Sequence, residues 1–225
     1  MVRTKIRKPL VWVVRRFQGR KIGKRVICMH SVKEKIKFEK RLVWLLRRWA
    51  VVPLNALSTA DESIATVSLT FDDGSETWFE NVLPVLAEYG VHATFFVNDE
   101  NMASRLESHE FHHLIEVGGH TKDHVDLGRI VAKQVLSRQI QERRFFAYPW
   151  GTPSNINPTV VNYLACSYRV QQAFTCIPGW YPRHDYVQPR DSLDLDDPEW
   201  FWEARLKGAY DWLYGVRHNL RRIFK

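Results

Sequence analysis

The stretch Thr70-Phe71-Asp72-Asp73-Gly74 ends a segment that is typical of a buried β-strand. The five residues before it, 65–69 (ATVSL), are rich in β-branched and apolar side chains. A strand that ends in paired carboxylates places them where a parallel barrel or an open α/β sheet exposes its working face. Two like charges this close raise each other's pKa unless a positive charge lies between them. The pair therefore indicates a site for a metal ion.

Two histidines follow about fifty residues later, in His120-Thr121-Lys122-Asp123-His124 behind Gly118-Gly119. A helical turn or a tight loop with this i, i+4 spacing aims both imidazoles at one point. Imidazole and carboxylate are ordinary ligands for a divalent metal ion. We therefore predict one metal site that the aspartate pair and the histidine pair share, with the two glycines forming the turn before the histidines.

Together with the segment Phe146-Ala147-Tyr148-Pro149-Trp150-Gly151, these two motifs resemble those of the polysaccharide deacetylase family, the carbohydrate esterases that share the NodB homology domain. The resemblance runs from about residue 26 to about residue 206. It implies a distorted (β/α) barrel of the NodB type. It also implies a hydrolase that acts on linear amides and removes N-acetyl or other small N-acyl groups from amino sugars of a polysaccharide or oligosaccharide.

The resemblance also assigns roles to particular residues. Asp72 would act as the catalytic base, while Asp73, His120 and His124 would hold one divalent ion. Zn²⁺ is favoured for that ion, with Co²⁺, Mn²⁺ or Ni²⁺ as alternatives. The segment Tyr148, Pro149 and Trp150 would line the substrate site, and a backbone N–H near Trp150 would stabilise the oxyanion.

The sequence departs from the better-known family pattern at two positions. Many members have an arginine two residues before the third-motif proline, and this arginine braces the base; Ala147 stands there in this chain. Arg144 or Arg190 could replace that arginine. Many members also end with Leu-x-His, which supplies a proton donor, and no such triplet occurs here; His184 is the nearest candidate acid, with His30 as another histidine that could line the pocket.

Charge is distributed unevenly along the 225 residues. Residues 1–50 contain 17 Lys or Arg and two acids, so this segment has a net charge of +15. The net charge of the whole chain is +8, so the remaining residues together carry −7. We predict three parts: a basic N-terminal arm at 1–24, the deacetylase-like domain at 25–207, and a basic amphipathic C-terminal helix at 208–225. Such ends are suited to an anionic membrane surface. Nucleic acid is not expected as a partner because no reader motif appears.

No apolar segment approaches the 18 residues of a membrane span, and the apolar run 9–14 is too short for a signal peptide. The sequence therefore predicts an uncleaved protein that is cytoplasmic or peripheral at a membrane surface. The three cysteines show neither disulfide nor metal-ligand spacing. Trp44 and Trp49 are expected in the core.

Apolar periodicity predicts alternating strands and helices, as in a parallel barrel. Strands are expected at 25–30, 51–54, 65–69 (closed by the motif at 70–74), 92–97 and 145–148. Helices are expected at 35–49, 76–89, from after 97 to about 116, at 129–143, at 158–165 and from about 198. Gly90 should end the second helix.

Three other functions remain open at this stage. The chain could deacylate or deformylate a lipid-linked sugar at a membrane, or it could be a degenerate sugar-binding module that has lost the reaction. A non-haem iron oxygenase also uses two histidines and one carboxylate, but the additional aspartate beside the ligand is better suited to hydrolysis.

Overall fold

Eight short parallel strands form one curled sheet, a distorted (β/α) barrel, in a computed structural model that describes residues 22–182 and 185–212. Across the sheet the order is β7-β6-β5-β4-β3-β1-β8, and β2 pairs with the first residues of β3. The strands are β1 (Lys24–Met29), β2 (Ala50–Val51), β3 (Thr66–Asp72), β4 (Ala93–Val97), β5 (Ile115–Gly119), β6 (Phe145–Ala147), β7 (Gln172–Phe174) and β8 (Asp191–Ser192).

The helices cover the outer face of this sheet. They are α1 (Lys35–Leu46), α2 (Thr77–Asn81), α3 (Leu83–Tyr89), α4 (Glu100–Glu107), α5 (Lys133–Gln139), α6 (Pro158–Cys166) and α7 (Glu199–Leu206). Short 3₁₀ turns lie at Leu54–Ala56, His112–Leu114, Leu127–Arg129 and Pro153–Asn155. The predicted alternation of strands and helices is therefore confirmed.

Side-chain alternation along β3 separates the core from the site. Phe71 points outward and stacks on Phe95 of β4 with ring centroids 5.1 Å apart, and both rings pack against Trp78. Thr70 and Asp72 point to the opposite, inner face, because successive side chains of a strand alternate. Both are buried. The same strand thus anchors the helical layer and carries the first motif into the barrel interior.

The prediction for Gly118-Gly119 was wrong. These residues do not form a turn; they are the last two of β5, and the predicted helix to residue 116 is α4 alone. A Cβ on Gly118 would lie 2.4 Å from the Phe96 ring, and one on Gly119 would lie 2.4 Å from the Gln141 carbonyl oxygen. The glycines therefore permit close packing beside the strand, a use that sequence alone does not distinguish from a turn.

Several helix boundaries also differ from the predictions. The helix expected at 76–89 is interrupted at Val82, and Pro84 lies in the first turn of α3, where its missing N–H costs nothing. Gly90 ends α3 with φ 62°, as predicted. The helix expected at 35–49 ends at Leu46, and the one expected at 129–143 is reduced to α5. Trp44 and Trp49 are buried, as predicted.

The sequence did not predict β7 and β8, which bring the two ends of the sheet together. Residues 185–190 run beside β7, where Gln188 exchanges backbone hydrogen bonds with Ala173 and Thr175. The chain then continues into β8, which pairs with β1. Arg190 lies between these two contacts and is consequently directed into the barrel interior.

The predicted terminal segments fall largely outside the described residues. Of the arm 1–24, only Ile22, Gly23 and Lys24 are described, and Lys24 already belongs to β1. Of the helix 208–225, residues 213–225 are outside the described part. In the portion of the chain that is described, no helix has the length and apolar character needed to cross a membrane.

Candidate metal and catalytic site

Asp73, His120 and His124 converge at the carboxyl edge of the sheet. Asp73 follows β3, and the two histidines follow β5. The Asp73 Oδ1 atom lies 3.2 Å from His120 Nε2 and 3.3 Å from His124 Nε2. Atoms bound about 2.0–2.1 Å from one tetrahedral ion are about 3.3 Å apart, so both separations match a shared divalent ion. The predicted triad is brought together, and its donor set fits a metal.

The His120 ring is oriented by the backbone of β6. Its Nδ1 atom lies 2.9 Å from the Ala147 carbonyl oxygen, and the ring is buried. A carbonyl can only accept, so Nδ1 carries the proton and donates it. The lone pair on Nε2 is thereby left free toward Asp73, as metal ligation requires.

Two amide side chains hold the loop that carries the histidines. Asn98, directly after β4, donates from Nδ2 to the carbonyl oxygens of His120 and Thr121, each at 2.9 Å. Gln141 accepts from the His120 N–H at 3.1 Å and donates to the Asn98 carbonyl oxygen at 2.7 Å. Sequence reasoning missed both residues. The position of Asn98 at the carboxyl end of a strand was the available signal.

Backbone conformations that L-residues rarely adopt cluster at this site. Asp73, Thr121, His124 and Trp150 have φ values of 82°, 54°, 49° and 55°. Thr121 is β-branched, and such residues are strongly disfavoured at positive φ. Conformations of this kind persist only where the surroundings impose them, and they concentrate at functional sites.

Asp72 is buried and forms a bidentate ion pair with Arg190. Arg190 Nη1 lies 2.7 Å from Asp72 Oδ1, and Nη2 lies 2.7 Å from Oδ2. Burial is the largest single influence and would raise the pKa of the Asp72 carboxyl, but the Arg190 guanidinium together with the nearby His120 and His30 lowers that pKa to about 2. Asp72 is therefore ionised at neutral pH. Arg190 is itself fixed by the Thr175 carbonyl oxygen and the Thr70 hydroxyl.

Of the two arginines that the sequence suggested as a brace for Asp72, Arg190 is the one in contact with it. Arg144 lies at the surface, where it contacts Gln171 and approaches Glu116. The Ala147 side chain belongs instead to an inner apolar cluster with Phe96 and Phe174. The Arg190 guanidinium lies over the Phe96 ring, 5.1 Å from its centroid.

His30 borders the site from the end of β1. Its Nε2 atom lies 3.8 Å from Asp73 Oδ2, the oxygen that faces away from the histidine pair, and its side chain is 48% exposed. His30 is thus not a buried histidine. Cys28, His30 and Asp72 form a second group of close ligand-type atoms. Arg190 already binds both Asp72 oxygens, so the Asp73 triad is the better cation site.

Of the third motif, Trp150 borders the same site. Trp150 is half exposed, and its ring packs edge-on against His124 with centroids 4.4 Å apart. Within the described part of the chain, the backbone N–H of Trp150 has no hydrogen-bond acceptor. Tyr148 is buried, and its hydroxyl donates a hydrogen bond to the Tyr186 carbonyl oxygen at 2.8 Å. This contact holds the start of the loop that contains Pro149 and Trp150. His184 lies outside the described residues.

Residues 59–146 match the family model described as polysaccharide deacetylase. This segment of the chain is similar to a polysaccharide deacetylase domain of the NodB type. The chain is also 34% identical over 103 residues to a chitin deacetylase from Pestalotiopsis sp., an alignment that covers 42% of this chain and 33% of that protein. The chain spans half or less of the length of the curated relatives that it matches.

Solved structures of deacetylases share the barrel of this chain. IcaB from Ammonifex degensii has a TM-score of 0.59 and 21% identity, with 86% of this chain and 97% of that chain covered. The Streptococcus pyogenes deacetylase PplD, solved in complex with acetate, has a TM-score of 0.63 and 18% identity, with 81% and 97% covered. At these identities the similarity concerns the fold.

Proposed function

We propose that the chain is a metal-dependent hydrolase that removes N-acetyl, or another small N-acyl group, from amino sugars of a polysaccharide or oligosaccharide. The observation that carries this proposal is the Asp73–His120–His124 triad beside the ionised Asp72. Three protein ligands leave positions open, which is typical of a catalytic rather than a structural site. The names of the relatives support the sugar substrate.

Asp73, His120 and His124 would hold a divalent ion, with Zn²⁺ favoured, which when bound would polarise a carbonyl oxygen and lower the pKa of water. Asp72 takes the proton of the attacking water, because its carboxylate is ionised and fixed by Arg190. The backbone N–H of Trp150 donates a hydrogen bond to the oxyanion of the tetrahedral intermediate. Cleavage of the C–N bond then yields acetate and the free amine.

Purified protein tests this proposal directly. We expect one equivalent of divalent metal by elemental analysis and release of acetate from some member of a panel of N-acetylated oligosaccharides. Chelation should stop the release, and added Zn²⁺ or Co²⁺ should restore it. Metal binding without acetate release from chitin, peptidoglycan or poly-N-acetylglucosamine fragments would instead favour the sugar-binding module.

The contact between Arg190 and Asp72 favours a catalytic site over a degenerate sugar-binding module. Arg190 braces the base, which Ala147, at the position of the arginine in many family members, cannot do. We expect Arg190→Met to lower kcat and to move the acid limb of the pH–rate profile to higher pH. Burial would then act on Asp72 without the opposing guanidinium, so its pKa would rise and the base would be lost as the pH falls through the new value. Arg190→Lys keeps the charge and should recover part of the activity near neutral pH. An unchanged acid limb in Arg190→Met would contradict the brace.

Among the described residues, His30 is the histidine outside the triad that is best placed to protonate the departing amine. We expect His30→Gln to lower kcat by about 10²-fold, at the lower end of the range for general acid–base groups, with metal content unchanged. His113→Gln provides a matched control, because His113 is exposed and lies just before the amino end of β5, whereas the site lies at its carboxyl end. Equal activity of the two variants would show that His30 is not the general acid and would favour His184 in that role.

A lipid-linked amino sugar at a membrane remains the second candidate substrate. The +15 of residues 1–50 favours it, as do aromatic residues near the ends, of which Trp212 is described and is 52% exposed. Each basic side chain near an anionic surface contributes about 1 kcal/mol, within a Debye length of about 8–10 Å. We therefore expect the full chain to cosediment with anionic vesicles at low salt and to be released at high salt. Equal recovery in the supernatant with neutral and anionic vesicles at both salt concentrations would exclude this attraction.

A further inference from the structure

Two cysteine thiols flank the ion pair between Asp72 and Arg190. Cys28 of β1 is buried, with Sγ 3.3 Å from Asp72 Oδ2. Cys176, two residues after β7, has Sγ 3.7 Å from Arg190 Nη2. These two contacted atoms, Asp72 Oδ2 and Arg190 Nη2, are themselves 2.7 Å apart. Each sulfur thus contacts one end of the same hydrogen bond of the salt bridge, although 148 positions separate the two cysteines in the sequence.

The two thiols also interact with each other. The Cys28 thiol donates its hydrogen bond to Asp72 Oδ2, and its interaction with the Cys176 thiol, together with the Arg190 charge, lowers the pKa of Cys176 to about 7. The same interaction and complete burial raise the pKa of Cys28. Cys176 is partly exposed, whereas Cys28 is buried. An accessible thiol beside a cation, with a second thiol behind it, is the arrangement of an attacking and a resolving cysteine.

We propose that Cys176 and Cys28 form a thiol–disulfide exchange site that reacts with a small disulfide such as oxidised glutathione. The Cys176 thiolate attacks one sulfur of the small disulfide, whose S–S bond breaks and releases one thiolate. Cys28 then loses its proton and attacks Cys176 Sγ, which breaks the mixed bond and releases the second thiol. In sum, one small disulfide is reduced to two thiols while two protein thiols are oxidised to the Cys28–Cys176 bridge.

The bridge would disturb the proposed base. A disulfide holds its sulfurs about 2.05 Å apart, closer than two separate thiols approach, so at least one sulfur must leave its present position. Cys28 contacts Asp72 and Cys176 contacts Arg190, so this displacement alters the ion pair that keeps Asp72 in place. Activity should therefore fall on oxidation and return on reduction, a consequence that rests on the proposed function.

Thiol counting and peptide mapping test the exchange without any assay of activity. The folded full chain is incubated with oxidised and reduced glutathione at several ratios, blocked with an alkylating agent and digested without reductant. We expect free thiols to fall from three to one, with one peptide pair linked through Cys28 and Cys176. Three remaining thiols at the most oxidising ratio, or a bridge that contains Cys166, would overturn the proposal.

Single variants separate exchange from general oxidation. Cys166 is exposed and distant from the ion pair, so Cys166→Ser is the matched control and should form the bridge as before. Cys28→Ser should stop at a glutathione adduct on Cys176, because the resolving thiol is absent. Loss of activity in the wild type but not in Cys28→Ser at equal metal content would assign the effect to the bridge. If the bridge is mapped but acetate release is unchanged, the exchange site is supported and the proposed effect of the bridge on Asp72 is rejected.

Discussion

Replacement of Asp73 or His120 by alanine is expected to remove the metal and abolish deacetylation. Each change leaves two of the three converging ligand atoms, and His120 is buried with its Nε2 aimed at Asp73. Loss of a residue that merely supports a ligand costs about 10–100-fold in metal affinity, so loss of a ligand should cost more. Elemental analysis after gel filtration, and metal titration followed by protein fluorescence, measure the effect.

Asp123 offers a matched control within the same loop. It is an exposed carboxylate, three residues after His120, and it pairs with Gln139 rather than with the site. Asp123→Ala should therefore keep a full equivalent of metal and normal turnover. If Asp73→Ala and His120→Ala also retained a full equivalent, the ion would have to lie elsewhere, with the group of Cys28, His30 and Asp72 as the next position to test.

The sequence was sufficient to predict the parts of this site that are local. Residues 65–71 are mostly apolar or β-branched, and Asp72 and Asp73 follow directly, so both the strand and the place of its carboxylates could be predicted without tertiary information. The i, i+4 histidines likewise needed only a tight connection. That connection is a loop with positive φ at Thr121 and His124 rather than a helical turn. A histidine pair is compatible with both conformations.

The parts that the sequence did not decide depend on distant contacts. Arg190 reaches Asp72 across 118 positions, and the two-residue strand β8 that directs it has no periodicity to detect. Gly118-Gly119 was misread because a glycine pair is as typical of a turn as of a strand against which neighbours pack closely. Asn98 and Gln141 are ordinary polar residues until the fold places them beside His120.

Asp72→Asn is expected to keep the metal and to lower kcat by about 10²–10⁴-fold, the usual cost of losing a general base. The amide is nearly isosteric, but it cannot take a proton from water. The Asp73 triad is untouched, so metal content should match that of the wild type. Single-turnover acetate release at equal metal loading is the appropriate measurement. Near-normal turnover would place the base on another residue.

The environment of Asp72 adds an effect on stability that must be separated from catalysis. Both Asp72 oxygens accept from Arg190, and both residues are buried. In Asp72→Asn the amide nitrogen, itself a donor, would face a guanidinium nitrogen, and the buried charge would lose its counter-ion. Removal of one partner from a buried ion pair costs about 3–5 kcal/mol, so the free energy of unfolding should fall.

A double variant distinguishes the two effects. In Asp72→Asn combined with Arg190→Met, the uncompensated charge is removed and an apolar side chain occupies the place of the guanidinium beside Phe96. Replacement of both partners of a buried pair by neutral groups is often nearly neutral for stability. We therefore expect the double variant to regain most of the lost unfolding free energy in urea while kcat stays as low as in Asp72→Asn. If turnover recovered together with stability, the loss in Asp72→Asn would reflect unfolding of the site, and Asp72 would not be the base.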